Sequence, residues 1–139
     1  MININYIKSF SKKIIINDES ILYQTIEEYF DYLLLQQLTN LKGRIAATKK
    51  LYGYKKLVPI YINSSLVFFP INNLKEYDNI YINARNIINI YEKGSKTVIE
   101  FMGTDKLYVN KSYNQIIKYY NRSLSINHNS WFFVQKVVK

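Results

Sequence analysis

Short apolar runs bounded by turn residues recur along the chain and predict β-strands. Ile14 to Ile16 form the first run, and the turn-forming sequence "NDES" follows it. The runs "LVPIYI" and "SLVFFPI" flank "NSS", which is typical of a hairpin. Turn signals at "EKGSK" and "MGTDK" then separate three strand-like runs between residues 80 and 109, and this spacing predicts a meander.

Two stretches in the first half carry helix signals of unequal clarity. Apolar residues recur at helical spacing in residues 26–38, yet the Ile, Tyr and Phe there also favour a strand, so both interpretations stay open. The sequence "GRIAATKKL" predicts a short helix near residues 43–52, and Gly53 is placed to end it.

The sequence "NKSYNQIIKYYNRSL" predicts a further helix near residues 112–122, capped by Asn110 or Ser112. Its apolar positions fall on one side, at Tyr113, Ile116, Ile117 and Tyr120. We therefore predict a single α+β domain over residues 1–139, made mainly of antiparallel β-sheet with two or three short helices.

Composition gives little support to an enzyme. The chain has no cysteine and one histidine, His128, and it lacks the "GxxxxGK", "GxGxxG" and "GxSxG" motifs. The densest acidic cluster, Glu27, Glu28 and Asp31, is interpreted as a solvated face rather than a metal site. We therefore predict a protein that is not an enzyme and needs no cofactor and no metal.

Nothing in the sequence predicts export or a membrane span. Only three apolar residues follow Lys13, against about 7 to 15 in the apolar core of a signal peptide. No stretch approaches the roughly 18 apolar residues of a membrane helix. The expected location is the cytoplasm.

The distribution of charge carries the functional signal. The net charge is +9, and no acidic residue occurs between Asp31 and Glu76 or after Asp105. Residues 43–70 contain five positive charges. A surface of this sign attracts polyanions, and nucleic acid is the leading candidate.

The candidate contacts fall into two groups. Cations able to neutralise phosphates cluster in and around the predicted helix, at Lys42, Arg44, Lys49, Lys50, Lys55 and Lys56. Forked or amide side chains able to read base edges are Arg44, Asn79, Asn83, Arg85, Asn86, Lys111 and Asn114. Taken singly, each lysine is more often a solvated charge and each asparagine a turn residue, so the prediction depends on the segregation of charge.

Two further expectations concern shape and assembly. Gly43 precedes Arg44, where a small residue would let the backbone approach a duplex closely. The apolar tail at Trp131, Phe132 and Phe133 is expected either to pack on the domain or to form part of a dimer contact.

A series of short motifs follows in a fixed order over residues 43–124: "GR" (43–44), "PI" (59–60), "FFP" (68–70), "IYINARNIINI", "TVIEF" (97–101), "KLYV" (106–109) and "SYN" (112–114). In this order the motifs resemble the ComK family of competence transcription factors. The resemblance implies a cytoplasmic activator of DNA-uptake genes that binds paired AT-rich promoter boxes in double-stranded DNA as a homodimer or higher oligomer, largely through the minor groove. The chain lacks the family's cysteines and its longer C-terminal region, so the resemblance supports DNA binding more than activation or proteolytic control.

Two alternatives remain open. The second half also resembles a LytTR DNA-binding domain, which implies that loops carrying Asn79 and Lys111 read DNA from one end of the sheet. A basic adaptor or RNA-associated protein without sequence-specific DNA binding is the third interpretation.

Overall fold

The computed structural model describes residues 3–72 and 78–126. In these residues nine β-strands form two antiparallel sheets, and three α-helices accompany them. The strands are β1 (Tyr6–Ser9), β2 (Ile14–Ile16), β3 (Ser20–Leu22), β4 (Ile60–Asn63), β5 (Leu66–Pro70), β6 (Asn79–Asn83), β7 (Ile87–Lys93), β8 (Lys96–Phe101) and β9 (Lys106–Val109). The helices are α1 (Ile26–Leu34), α2 (Leu41–Tyr52) and α3 (Tyr113–Ser125). This confirms the predicted α+β class, the hairpin β4–β5 and the helices near residues 43–52 and 112–122.

The strands divide into a six-stranded sheet, ordered β3-β2-β1-β6-β5-β4, and a three-stranded sheet, ordered β7-β8-β9. The predicted meander of three strands is wrong for its first run, because that run forms two strands, β6 and β7, which belong to different sheets. A 3₁₀ turn at Ala84–Asn86 separates β6 from β7, and the side chain of Asn83 caps this turn by accepting from Arg85 N at 3.2 Å. The turn redirects the chain from one sheet to the other.

Both faces of the six-stranded sheet are covered. Because side chains alternate along a strand, the neighbours Phe68 and Phe69 enter separate cores, as do Tyr81 and Ile82. The first core lies between this sheet and helices α1 and α2, and the second contains residues of the three-stranded sheet and α3. The six-stranded sheet is therefore the middle layer of the fold.

The ambiguous stretch at residues 26–38 begins as a helix. Thr25 and Glu28 form a capping box, in which each side chain accepts from the other residue's backbone N–H at 3.1 and 3.0 Å. Phe30 is fully buried, and its ring lies 5.3 Å from those of Phe68 and Tyr81. The cap and this aromatic packing select helix over strand.

The residues of the acidic cluster stabilise the first turns of helices α1 and α2. Glu28 belongs to the capping box, and the carboxylate of Asp31 accepts from Leu41 N at 2.7 Å, at the start of α2. Glu27 is exposed in the first turn of α1, where a negative charge favours the helix dipole.

Helix α3 begins at Ser112, one of the two predicted caps, in a second capping box with Gln115. Its buried side differs from the predicted one: Ile116, Tyr119 and Ser123 are buried, whereas Ile117 is only partly covered. Ser123 can be buried because its hydroxyl donates to Tyr119 O at 2.9 Å.

Two predicted features, the apolar tail from Trp131 and the single His128, lie outside the described residues. Within residues 3–72 and 78–126, none of the helices has the length and apolar character needed to cross a membrane.

Candidate nucleic-acid interface

Helix α2 presents a mostly polar surface because only one side of it is buried. Leu41 and Thr48 are buried, and Ile45 packs partly against the first core. The helix begins at Asn40, whose side chain accepts from Gly43 N at 2.8 Å. It ends at Gly53, whose φ of 74° is left-handed, which confirms the predicted stop.

Lysines occupy the opposite side of α2. Lys42, Lys49 and Lys50 are exposed, and their spacing of seven and eight residues brings them onto one side of the helix. Ala46 and Ala47 are exposed on the same solvent side, so no large side chain stands between the lysines. In the described part of the chain, the two ion pairs involve Lys8 and Lys106, so neither neutralises α2.

The segment after α2 is held against the end of α3. The rings of Tyr52 and Tyr54 stack with centroids 5.5 Å apart, and the Arg122 guanidinium lies 4.2 Å from the Tyr54 centroid. Arg122 Nη1 also donates to Lys56 O at 3.1 Å, and the hydroxyls of Tyr54 and Ser125 are 3.0 Å apart. We call Tyr52, Tyr54, Arg122 and Ser125 the clamp.

The clamp fixes the segment that carries Lys55 and Lys56, both of which are exposed. They lie three and four residues after the end of α2. We define the basic surface as Lys42, Lys49, Lys50, Lys55, Lys56 and Arg122. Five of the predicted cations are thus exposed on α2 and the clamped segment. The clamp adds Arg122, which lies 66 residues beyond Lys56 and which sequence reasoning missed. Its one signal was rarity, since Arg122 is the third arginine of a lysine-rich chain.

Arg44 occupies a different side of α2 and is partly buried. Its Nη2 donates to Gln37 Oε1 at 2.5 Å, while Gln37 donates to Ile62 O on β4. The guanidinium lies 5.9 Å from the centroid of Tyr61. Burial lowers the pKa of Arg44 from its usual high value, but a guanidinium remains charged in proteins. Arg44 therefore connects α2 to the edge strand β4.

The cap at the start of α2 explains why a glycine occupies position 43. A Cβ at this position would lie 3.0 Å from Thr39 Oγ1 and 3.2 Å from Asn40 Oδ1, so any larger residue would crowd the capping side chains. Glycine is favoured here by the start of the helix, independently of any approach to DNA.

Three of the four predicted base-reading asparagines, Asn79, Asn83 and Asn86, lie inside the protein. Asn79 is 3% exposed and Asn83 is fully buried. Asn83 Nδ2 donates to Ile4 O and Ser65 O, and its Oδ1 accepts from two backbone N–H groups. Asn79 exchanges two hydrogen bonds of 3.0 Å with the backbone of Asn72. Base edges cannot reach these amides, because they already connect strands and turns within the protein.

Asn86 is also buried, and it donates to the side chains of Asn3 and Asn5 at 2.7 and 3.0 Å. Arg85 beside it is partly buried, and among the described residues its Nε finds no hydrogen-bond partner. Asn114 is exposed in the first turn of α3.

Lys111 is separated from Asn79 by the division into two sheets. Lys111 follows β9 of the three-stranded sheet, where its carbonyl accepts from Thr97 Oγ1 at 2.6 Å, whereas Asn79 begins β6 of the other sheet. The expectation that both residues lie at one end of a single sheet is therefore wrong.

A comparison with known protein families gave a match that covers all of the described residues. The family model described as ComK protein matches residues 3–137. The match begins well before the motifs at residues 43–124 and includes β1 to β3 and α1. Neither the curated proteins nor the solved structures gave a match. The chain belongs to the ComK family.

Proposed function

We propose that the chain is a sequence-specific DNA-binding transcription regulator of the ComK type, a competence activator that binds AT-rich promoter boxes in double-stranded DNA. The basic surface is the observation that carries this proposal. Five of its six cations come from a stretch without an acidic residue. Each cation that neutralises a phosphate releases counterions, and this release drives binding to a duplex. Membership of the ComK family supports a role in regulating transcription.

Phosphate attraction alone does not select a sequence, so a reading group is also needed. Arg44 is the proposed reader. A guanidinium gains from the enhanced negative potential of the narrow AT-rich minor groove. In the free protein Gln37 and Tyr61 hold its guanidinium, so a contact in the groove has to replace these two contacts.

We also propose that the protein acts in the cytoplasm, where it has access to the chromosome. Paired boxes favour a homodimer or a higher oligomer on DNA, since two equivalent half-sites are matched by two copies of one surface.

The test is fluorescence anisotropy with an AT-box duplex and a GC-rich duplex of equal length. We expect the unmodified protein to prefer the AT box. Arg44→Ala should cost about 1 to 3 kcal/mol more on the AT box than on the GC-rich duplex, the usual scale of one specific contact. Lys50→Ala should cost the same on both, because a phosphate contact carries no sequence information.

Arg44→Lys is the matched control for charge. It keeps the cation but loses the planar fork, so it should restore general affinity and leave the AT preference reduced. Equal affinity of the unmodified protein for both duplexes would contradict sequence-specific binding and favour a basic adaptor.

A further inference from the structure

The outer face of the three-stranded sheet forms a second cationic surface. Ile99 and Leu107 are paired across β8 and β9 and point into the second core. Because alternate residues point to opposite sides, their neighbours Val98 and Tyr108 lie on the outer face. This face is on the far side of the six-stranded sheet from α1.

Two tyrosines occupy one row of the outer face. Tyr91 of β7 and Tyr108 of β9 are the two cross-strand partners of Val98. Val98 between them is fully buried, whereas 47% of Tyr108 is exposed and Tyr91 is partly buried. An aromatic ring with this exposure, supported by a packed row, is available for stacking.

Lysines flank the row on both sides. Lys93 and Lys96 are direct cross-strand partners, and Lys106 lies in the row beyond the tyrosines. Like charges directly opposite each other destabilise a sheet, and an anion between them would remove that cost. Lys93 Nζ lies 6.0 Å from the centroid of Tyr108, so a cation is held close to the exposed ring.

The face keeps a positive balance despite one acid. Glu100 pairs with Lys106 Nζ at 3.2 Å and accepts from Asn89 Nδ2 at 3.2 Å. The hydrogen bonds from Lys106 and Asn89 lower the pKa of Glu100, so it is ionised and neutralises Lys106. The charges of Lys93 and Lys96 remain.

We propose that this tyrosine face, formed by Tyr91, Tyr108, Lys93, Lys96 and Lys106, binds single-stranded nucleic acid. A base stacks on the ring of Tyr108, and the phosphate beside it lies between Lys93 and Lys96. Stacking needs a base whose face is free, and the bases of a duplex are stacked on each other. The combination of an exposed ring with an unneutralised lysine pair therefore selects a single strand.

This site is independent of the basic surface. The two surfaces share no residue, and the lysines of α2 lie on the other side of the middle sheet from the three-stranded sheet. Binding of a single strand and of a duplex can thus be measured separately, and failure of one leaves the other unaffected.

The experiment measures anisotropy of the full chain with a labelled thymidine strand of about 12 nucleotides and with an abasic deoxyribose-phosphate strand of the same length. Tyr108→Ala should weaken binding of the thymidine strand about 5- to 150-fold, the effect expected for one lost stacking contact. Tyr108→Phe should bind as the unmodified protein does, because it keeps the ring. Circular dichroism checks that each variant is folded.

Tyr32→Ala is the matched control, since Tyr32 is 69% exposed on α1 and lies outside the tyrosine face. It should leave single-strand binding unchanged, and Lys96→Ala, which keeps the ring, should weaken it. Equal affinity for the thymidine and abasic strands would overturn the proposal, because it would show attraction by charge alone. Loss of single-strand binding with Lys49→Ala and Lys50→Ala, but not with Tyr108→Ala, would assign the strand to the basic surface instead. If the unmodified protein did not bind the single strand, the proposal would also be overturned.

Discussion

At the scale of single residues, Asn83 shows how a buried amide holds separate segments together. Its side chain bonds the backbone at Ile4, Ser65, Val67 and Arg85. These groups belong to the segment before β1, the β4–β5 turn, β5 and the 3₁₀ turn. One amide therefore bonds four separate segments, and its contacts with Val67 N and Ile4 O are buried.

Asn83→Ala should destabilise the protein by about 2 kcal/mol or more, because it leaves the buried Val67 N–H without this acceptor and removes three further hydrogen bonds. Urea unfolding followed by circular dichroism measures the change. Asn89→Ala is the matched control: Asn89 is exposed on β7 and makes one side-chain hydrogen bond, to Glu100, so its loss should cost within about 0.5 kcal/mol. Similar losses for both variants would contradict the structural role of Asn83.

The sequence could not show which polar residues are buried. Asn79 and Asn83 lie in a strand that is buried on both faces. Their side chains form hydrogen bonds with backbone groups of other segments, at Asn72 and Ser65. Lys49 and Lys50 were predictable, because a lysine is almost never fully buried. The type of residue decides the outcome for lysine, whereas tertiary contacts decide it for asparagine.

At the scale of elements, the clamp couples α2 to α3. Helix α2 ends at Gly53, and without further contacts the segment that follows would be an exposed loop. The contacts of the Tyr54 ring with Tyr52 and with Arg122 give that segment a fixed position. The clamp therefore determines where Lys55 and Lys56 lie relative to the lysines of α2.

Arg122→Ala should speed amide exchange in residues 54–57, because it removes both the contact over Tyr54 and the hydrogen bond to Lys56 O. Hydrogen-exchange mass spectrometry measures this, with protection of residues 41–52 expected to stay unchanged. Arg122→Lys keeps the charge but cannot present a flat guanidinium to the ring, so it should restore protection only in part. Unchanged exchange in residues 54–57 would show that the segment is held by other contacts.

Elements with local signals were the predictable part of the fold. Gly53 and Ser112 mark helix ends through their own backbone and side-chain chemistry, and "NSS" marks the β4–β5 hairpin. The division between β6 and β7 was not predictable from a run of alternating apolar residues. It depends on a 3₁₀ turn whose cap is a buried asparagine from the preceding strand.

At the scale of the whole molecule, the middle sheet separates α2 and its lysines from the three-stranded sheet and its tyrosine face. Helix α2 and the clamped segment present lysines beside small residues, which suits a phosphate backbone. The three-stranded sheet presents tyrosines beside lysines, which suits unstacked bases. Both faces of the middle sheet are packed, so the two surfaces are held on one rigid frame.

The central claim is that the basic surface contacts DNA phosphates. Its control is the pair Lys12 and Lys13, which are exposed between β1 and β2 and outside the basic surface. Lys12→Ala with Lys13→Ala removes the same charge as Lys49→Ala with Lys50→Ala. A difference between these two double variants therefore reports the position of the charge rather than its amount.

The decisive measurement is the salt dependence of duplex affinity for the variant in which Lys49, Lys50, Lys55 and Lys56 are all alanine. Each lost phosphate contact lowers the slope of log K against log salt by about 0.9, so the slope should fall by up to about 3.6. Affinity should fall on every duplex, and stability should stay close to that of the unmodified protein because all four side chains are exposed. A slope equal to that of the unmodified protein would contradict the assignment of this surface to DNA. An equal change of slope in the Lys12/Lys13 and Lys49/Lys50 double variants would contradict it as well.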